Sequence, residues 1–308
     1  MMKVGMIGIG DVAQKAYLPL LGERSDTEVH LYTRDQAKLK QIGRQYRFTH
    51  LHESLSSLIA SGIEAAFVHS TTHAHEEPVR RLLEAGVHVF VDKPVTMYYD
   101  QTESLTDLAD RQNLLLVTGF NRRFAPSYQR LKDIQAPNMV IVQKNRSSVP
   151  LDIRTFVVED FIHVVDSMRF LFPYPITDMS VDSHYKDDLL HHVILRFSSP
   201  QGSAVGIMNR NAGTTVEKAE VMGPYETGIV QHVKDLTIRR EREEIKPEIA
   251  DWVPTLKTRG FTDMVDDFIE AVNSGKPPAV TNADALETHR ICEYVVTEVE
   301  RQSRGSIY

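Results

Sequence analysis

The segment Lys3–Ala13, KVGMIGIGDVA, constrains this chain more than any other. Val4, Met6, Ile7 and Ile9 form a short apolar run suited to a buried parallel strand. Gly8, Gly10 and Ala13 then supply G-x-G-x-x-A. The first glycine allows a tight turn, and the second lets a pyrophosphate approach the backbone. The small third residue lets the following helix pack close to the strand. Asp11, Val12 and Ala13 would open that helix, with N–H groups available to phosphates. An ordinary strand-turn-helix can use the same glycines. The context of strand before and helix after favours dinucleotide binding.

Further on, strands and helices alternate. Glu28–Tyr32, Ala65–His69, Val87–Val91 and Leu114–Val117 read as strands, with helical patterns around Leu55–Ile59, Glu77–Ala85 and Leu105–Asp110. Gly86 stands where a helix C-cap is expected, and Pro19 where the first helix should bend. Such alternation implies a parallel sheet with right-handed crossovers. After about residue 125 the pattern changes. Residues 139–144, 191–197, 202–208, 217–222, 227–232 and 236–240 read as strands without long helices between them, so a mostly antiparallel sheet is expected. One helix interrupts near 160–170, and two more close the chain. The fold class is α/β: an N-terminal Rossmann doubly wound parallel sheet over residues 1–122, then a C-terminal α/β domain with a large, mostly antiparallel open sheet over 123–308.

A formal net charge of −7 argues against nucleic acid as a partner, because a phosphate backbone demands a basic face. The RREREE run at 239–244 reads as a solvated hairpin or its flank. No apolar run is long enough to span a bilayer, and Lys3 leads straight into a strand rather than a signal peptide. Cys292 is the single cysteine, which fits a reducing, cytoplasmic location. It falls on an apolar helix face and reads as core rather than nucleophile. Trp252 could be a substrate platform, an interface anchor or simple packing.

Two further constellations suggest chemistry. Val91-Asp92-Lys93-Pro94 closes a strand, so Lys93 lies at a carboxyl end of the sheet, where open α/β folds bind ligands. An ammonium near an oxidised nicotinamide would lose its proton more easily, which suits acid/base work. A surface lysine before a turn-forming proline is the plainer reading. Glu159 and His163 are four apart on the expected helix and share a face, with Asp166 beyond. A histidine flanked by carboxylates can be held in one tautomer and exchange a proton. No metal is expected there, since the cluster offers one His and no Cys. A capping acid beside a partly buried His would look the same.

The order of these motifs resembles the Gfo/Idh/MocA oxidoreductases, with the flavour of their MviM-like branch. The resemblance rests on GIGDVA, HSTTHAH at 69–75, AGVHVFVDKP at 85–94, GFNRRF at 119–124, EDFIHVVD at 159–166 and RGFTDMVDDFIEAVNSGKPP at 259–278. It implies hydride transfer between NAD(P) and a carbinol carbon of a sugar, cyclitol or related polyol. Lys93 and His163 match the family's active-site lysine and histidine. Glu159 falls where many members carry Asp, and Asp92 where Glu is commoner. Asn121 and Arg123 match cleft residues; with Asp160 and His163 they form the expected substrate-binding set. Ser70, Thr71 and His75 match the loop beside the nicotinamide ribose, and Asp92 and Lys93 are expected at the cofactor too. A homodimer or homotetramer built on the open sheet is implied.

Cofactor choice is partly legible. Thr33 stands where an acidic ribose ligand would sit, and Arg34 could pair with a 2′-phosphate. Asp35 is the alternative ribose ligand if the strand ends later. The balance is toward NADP over NAD. A non-enzymatic NAD(P)-binding sensor or scaffold is the alternative function, and NAD-assisted glycoside cleavage or elimination is a third.

Overall fold

In the computed structural model, which describes residues 1–305, six parallel strands form the first sheet. They are β1 (Met2–Ile7), β2 (Thr27–Tyr32), β3 (His50–His52), β4 (Ala65–Val68), β5 (His88–Val91) and β6 (Leu116–Thr118). Their order, β3-β2-β1-β4-β5-β6, reverses between β1 and β4. Val4, Met6, Ala65–Val68 and Val89–Val91 are essentially inaccessible, as central parallel strands covered on both faces must be. The helix after β1 widens into a π turn over Ala13–Tyr17 before continuing as Leu18–Glu23. Pro19 lacks an N–H, and its ring would crowd the carbonyl four residues back, so the wide turn takes the place of a simple bend.

The chain divides into two compact units: Met1–Phe120 with Phe261–Glu287, and Asn121–Gly260 with the residues from Thr288 on. A split of 1–122 and 123–308 places the helix Phe261–Ser274 differently. Phe268 stacks edge-on against Phe67 of β4 at 5.2 Å, and Phe261 meets Tyr17 at 5.8 Å. That aromatic packing ties the helix to the first sheet despite its distance in sequence.

The second unit is built on an eight-stranded sheet. Its strands are β7 (Met139–Asn145), β8 (Asp178–Lys186), β9 (Leu189–Ser199), β10 (Gly202–Asn209), β11 (Val216–Met222), β12 (Thr227–Gln231), β13 (Asp235–Arg240) and β14 (Glu243–Ile245). The order is β14-β13-β12-β11-β7-β10-β9-β8, antiparallel except for the β7–β10 pair. Strand alternation buries Val140, Val142, Ala204 and Met208 on one face and leaves Ile141, Ile194, Val205 and Ile207 half-buried on the other. The helix Ile162–Leu171 packs on the buried face so closely that a Cβ at Gly206 would overlap Val164 and Met168. Gly206 thereby sets the height of His163 above the sheet. Strand β8 is invisible to pattern reading because only Val181 along it is buried, as befits an edge strand. The RREREE run forms the β13–β14 hairpin. Cys292 is buried, and burial pushes its thiol well up, which suits a core residue.

Candidate cofactor and active site

The first unit carries a cavity of about 710 Å³ at the carboxyl ends of its strands. It opens between β1 and β4, where the strand order reverses, the usual ligand position in open α/β sheets. Gly8, Gly10, Asp11 and Val12 form one wall, and Ser70, Thr71 and Asp92 another. Gly8 has φ +85, and a Cβ there would lie 2.5 Å from Ser70 N, so the two loops touch only because Gly8 has no side chain. Gly10 differs. A Cβ there would meet only His69 O, at 3.8 Å. Nothing among the described residues requires a glycine at that position; a ligand passing against the backbone would. Ala13 is 1% exposed and lets its helix close on the sheet. These features fit a dinucleotide pyrophosphate.

At the end of β2 the cavity is lined by Thr33, Arg34, Asp35 and Lys38, facing Ser54, Ser56 and Arg81. Asp35 caps the helix Gln36–Tyr46, accepting from Lys38 N at 3.0 Å. Its carboxylate is thus engaged in starting a helix. Among the described residues, neither Arg34 nor the Lys38 ammonium has an ion-pair partner. Arg81 is held by Glu77 at 3.0 Å and Ser56 at 2.7 Å.

The loops after β4 and β5 are joined by His75. Its Nε2 lies 2.9 Å from Ser70 O and its Nδ1 3.0 Å from Pro94 O, and the residue is 1% exposed. His75 is therefore not a cavity-lining ribose contact. Its ring is consumed by backbone carbonyls and braces the loops that carry Ser70 and Lys93. His69 lines the cavity instead. Both its nitrogens are buried without a hydrogen-bond partner among the described residues, and it stacks on Tyr17 at 3.9 Å. Burial, aided by His75, pushes its imidazolium down to about 3, so it is neutral. Asp92 accepts from Lys93 N at 2.9 Å, and burial raises its carboxyl. Lys93 follows it, partly buried, in a cis peptide with Pro94.

In the second unit, His163 begins the helix Ile162–Leu171, which continues a π stretch over Thr155–Phe161. Glu159 lies in that stretch, half-buried, four residues before His163. His163 Nδ1 lies 2.7 Å from the Arg122 guanidinium. Arg122 also forks onto Glu217, at 2.5 and 3.1 Å, and reaches Asn121 Oδ1 at 3.2 Å. Burial alone would push the Glu217 carboxyl up; the Arg122 guanidinium outweighs it and holds the group at about 2.

The other expected substrate contacts are buried scaffold. Asn121 is 4% exposed and donates to Arg259 O at 2.9 Å. Arg123 is bound bidentately to Asp166, which also accepts from Thr288. Asp160 is the hub of an ion-pair network with Lys144, Arg210 and Arg146. Each is expected from the sequence to face substrate; each has polar atoms engaged by neighbouring groups of the second unit. Burial, with Arg122 adding, pushes the Lys144 ammonium down to about 7 against the pull of Asp160.

The Gfo/Idh/MocA description, an oxidoreductase family with an NAD-binding Rossmann fold, matches residues 2–120. A YceM-like C-terminal domain matches residues 126–244. YceM of Salmonella typhimurium is 33% identical, covering 95% of this chain and 96% of its own. The chain belongs to the Gfo/Idh/MocA oxidoreductase family. A crystal structure of the MviM dehydrogenase from Clostridium difficile superposes with a TM-score of 0.92 at 30% identity, covering 96% and 99% of the two chains. Myo-inositol 2-dehydrogenase of Thermotoga maritima is 23% identical over 92% of each chain.

Arg122, Lys38, Arg81 and Glu217 carry no local motif that marks them. Arg122 stands beside Arg123 in NRRF, and nothing in the string says which arginine meets His163. Lys38 and Arg81 reach the cavity from helices whose faces become neighbours only in the fold. Glu217 lies on a strand far along the chain, with no local motif to mark it. No helix among the described residues is long and apolar enough to cross a membrane.

Proposed function

We propose that this oxidoreductase transfers hydride between a nicotinamide cofactor and a carbinol carbon of a sugar, cyclitol or related polyol, with NADP preferred over NAD. The observation that carries the reading is Gly10: it has space for a side chain within the protein yet lies in the wall of the cavity. The bound cofactor would supply the hydride acceptor or donor. Gly8, Gly10, Asp11, Val12 and Ala13 would hold its pyrophosphate. Ser70, Thr71, Asp92 and Lys93 would lie toward the nicotinamide. Arg34 and Lys38, two cations without ion-pair partners among the described residues, would meet a 2′-phosphate.

Lys93 and His163 carry the proton in this reading. Arg122 can only donate, so His163 Nδ1 holds a lone pair and the ring's proton sits on Nε2. His163 therefore serves as a hydrogen-bond donor to the substrate oxygen. Lys93 is left as the group that accepts the proton when an alcohol is oxidised. Glu159 would contact substrate hydroxyls or His163. The polyol class is supported by the myo-inositol dehydrogenase relative. A cytoplasmic homodimer or homotetramer would cover the half-buried sheet face of Ile141, Ile194, Val205 and Ile207.

A screen of polyols, sugars and sugar acids with both cofactors, followed by absorbance of the reduced ring, tests the reading. Turnover faster with NADP on at least one carbinol substrate is the expected result. Tight cofactor binding with no turnover on any of them would shift the assignment to a sensor.

A further inference from the structure

Strands β2 and β3 place an unexpected group of side chains together. Parallel pairing sets His30 opposite His50 and Tyr32 opposite His52. Strand alternation then puts Glu28, His30, His50 and His52 on one face of the sheet edge. One ligand atom from each of Glu28, His30 and His50 lies within 4.8 Å of the other two. His30 Nε2 is 2.9 Å from Glu28 Oε1, and His50 Nε2 is 3.8 Å from Glu28 Oε2. The two imidazoles stack at 4.4 Å.

We propose that Glu28, His30 and His50 form a binding site for a borderline divalent transition ion such as Zn²⁺, outside the cofactor cavity. Bonds of about 2.0–2.2 Å in a tetrahedral site put neighbouring ligand atoms about 3.3–3.6 Å apart. The two contacts through Glu28 bracket that range. His30 is rigid, with 4% of its side chain exposed, whereas Glu28 and His50 are 30% and 45% exposed. The two exposed ligands can turn toward the ion, and their exposed side leaves a fourth position for water.

The flanking hydrogen bonds support the assignment. His30 Nδ1 lies 2.9 Å from His52 Nε2, and His52 Nδ1 lies 3.1 Å from Ser57 Oγ. Without an ion, the chain can run from Ser57 through both rings to the Glu28 carboxylate, with His30 Nε2 as donor. With an ion on Nε2, His30 carries its proton on Nδ1 and donates to His52, which donates to Ser57. A ligating histidine that gives its second N–H to a fixed acceptor is the usual outer-sphere arrangement of zinc sites. The neighbouring residues matter too. Tyr32 and Ser54, each two positions beyond His30 or His52, line the adenosine end of the cavity. An ion here would pin the edge strand beneath that end.

The test is calorimetric titration of tag-free, metal-stripped protein with Zn²⁺, and with Co²⁺ followed by its visible absorption. One ion per chain, a tetrahedral cobalt spectrum and a raised melting temperature are expected. His50→Ala and Glu28→Gln, both at exposed positions, should each weaken binding by at least about tenfold. His184→Ala, which alters the stacked His184–His192 pair of the other sheet, should leave it unchanged. Absence of saturable binding, or binding untouched by both ligand variants, overturns the site. So does loss of binding in His184→Ala. None of these outcomes depends on the dehydrogenase reading.

Discussion

The Arg122 guanidinium lies 2.7 Å from Nδ1 of His163 and can only donate to it. This fixes a direction that sequence reasoning had left open. Carboxylates beside a histidine would leave it free to act as a base, whereas a guanidinium at Nδ1 puts the ring's proton on Nε2. Nitrogen-15 spectra of the free protein should therefore show His163 as the Nε2–H tautomer. Arg122→Lys, which keeps a charge beside Glu217, should raise the Nδ1–H fraction. An Nδ1–H tautomer in the wild type would remove the argument.

Side-chain replacement tests the same point through rates. His163→Ala and Lys93→Met should each lower kcat by roughly 10²–10⁴ while leaving cofactor affinity within a few-fold. His163→Gln keeps an N–H near the Nε2 position and should retain more activity than His163→Ala. If His163 were the base, glutamine and alanine would be equally poor. The Lys93→Met, His163→Ala double variant should lose much less than the product of the single losses.

Gly10→Val should abolish cofactor binding without unfolding the first unit, because the added Cβ meets no protein atom closer than 3.8 Å. Titration calorimetry and a melting curve decide it. Equal affinity in variant and wild type would end the pyrophosphate assignment. Gly8→Val, by contrast, should destabilise the fold itself, since its Cβ would press on Ser70 N.

Arg34→Ala should weaken NADP far more than NAD. A charge-assisted contact to a 2′-phosphate is worth about 2 kcal/mol, or about 30-fold. Lys38→Ala should move in the same direction by a smaller factor. A parallel loss for both cofactors would mean that Arg34 does not meet a phosphate.

Acid should expose the Arg122–Glu217 pair. The folded Glu217 carboxyl, at about 2, lies below its ordinary 4.5. Its stabilisation is therefore complete above about 4.5 and disappears as pH falls toward 2, a contribution on the order of 3 kcal/mol. His69 acts with the same sign between 6.5 and about 3, because only the unfolded chain takes up its proton there. Urea unfolding at several pH values should show the gap between wild type and Glu217→Gln narrowing as pH drops through that window. A constant gap would mean the pair contributes nothing as an ion pair.

The sequence by itself determined five strands of the first sheet, all but the short edge strand β3, together with the glycine turn and the alternation that ends near residue 125. Those features are local: a strand period, a turn that only glycine allows, and a helix start are written in neighbouring residues. Gly8, Gly10, Thr33, Arg34, Ser70, Thr71 and Asp92 all line one cavity. Tertiary structure decided the partners of the charged groups. His75, Asn121, Arg123 and Asp160 read as ligand contacts in the string, yet each is buried against the protein. Arg122 won the place beside His163 over its neighbour Arg123 because Glu217, 95 residues away, holds it there. The Glu28, His30 and His50 cluster exists only because β2 and β3 pair in a particular register. Desolvating a charge is costly unless a partner is supplied, and that partner comes from whichever segment the fold brings near. Local spacing carries no record of that choice.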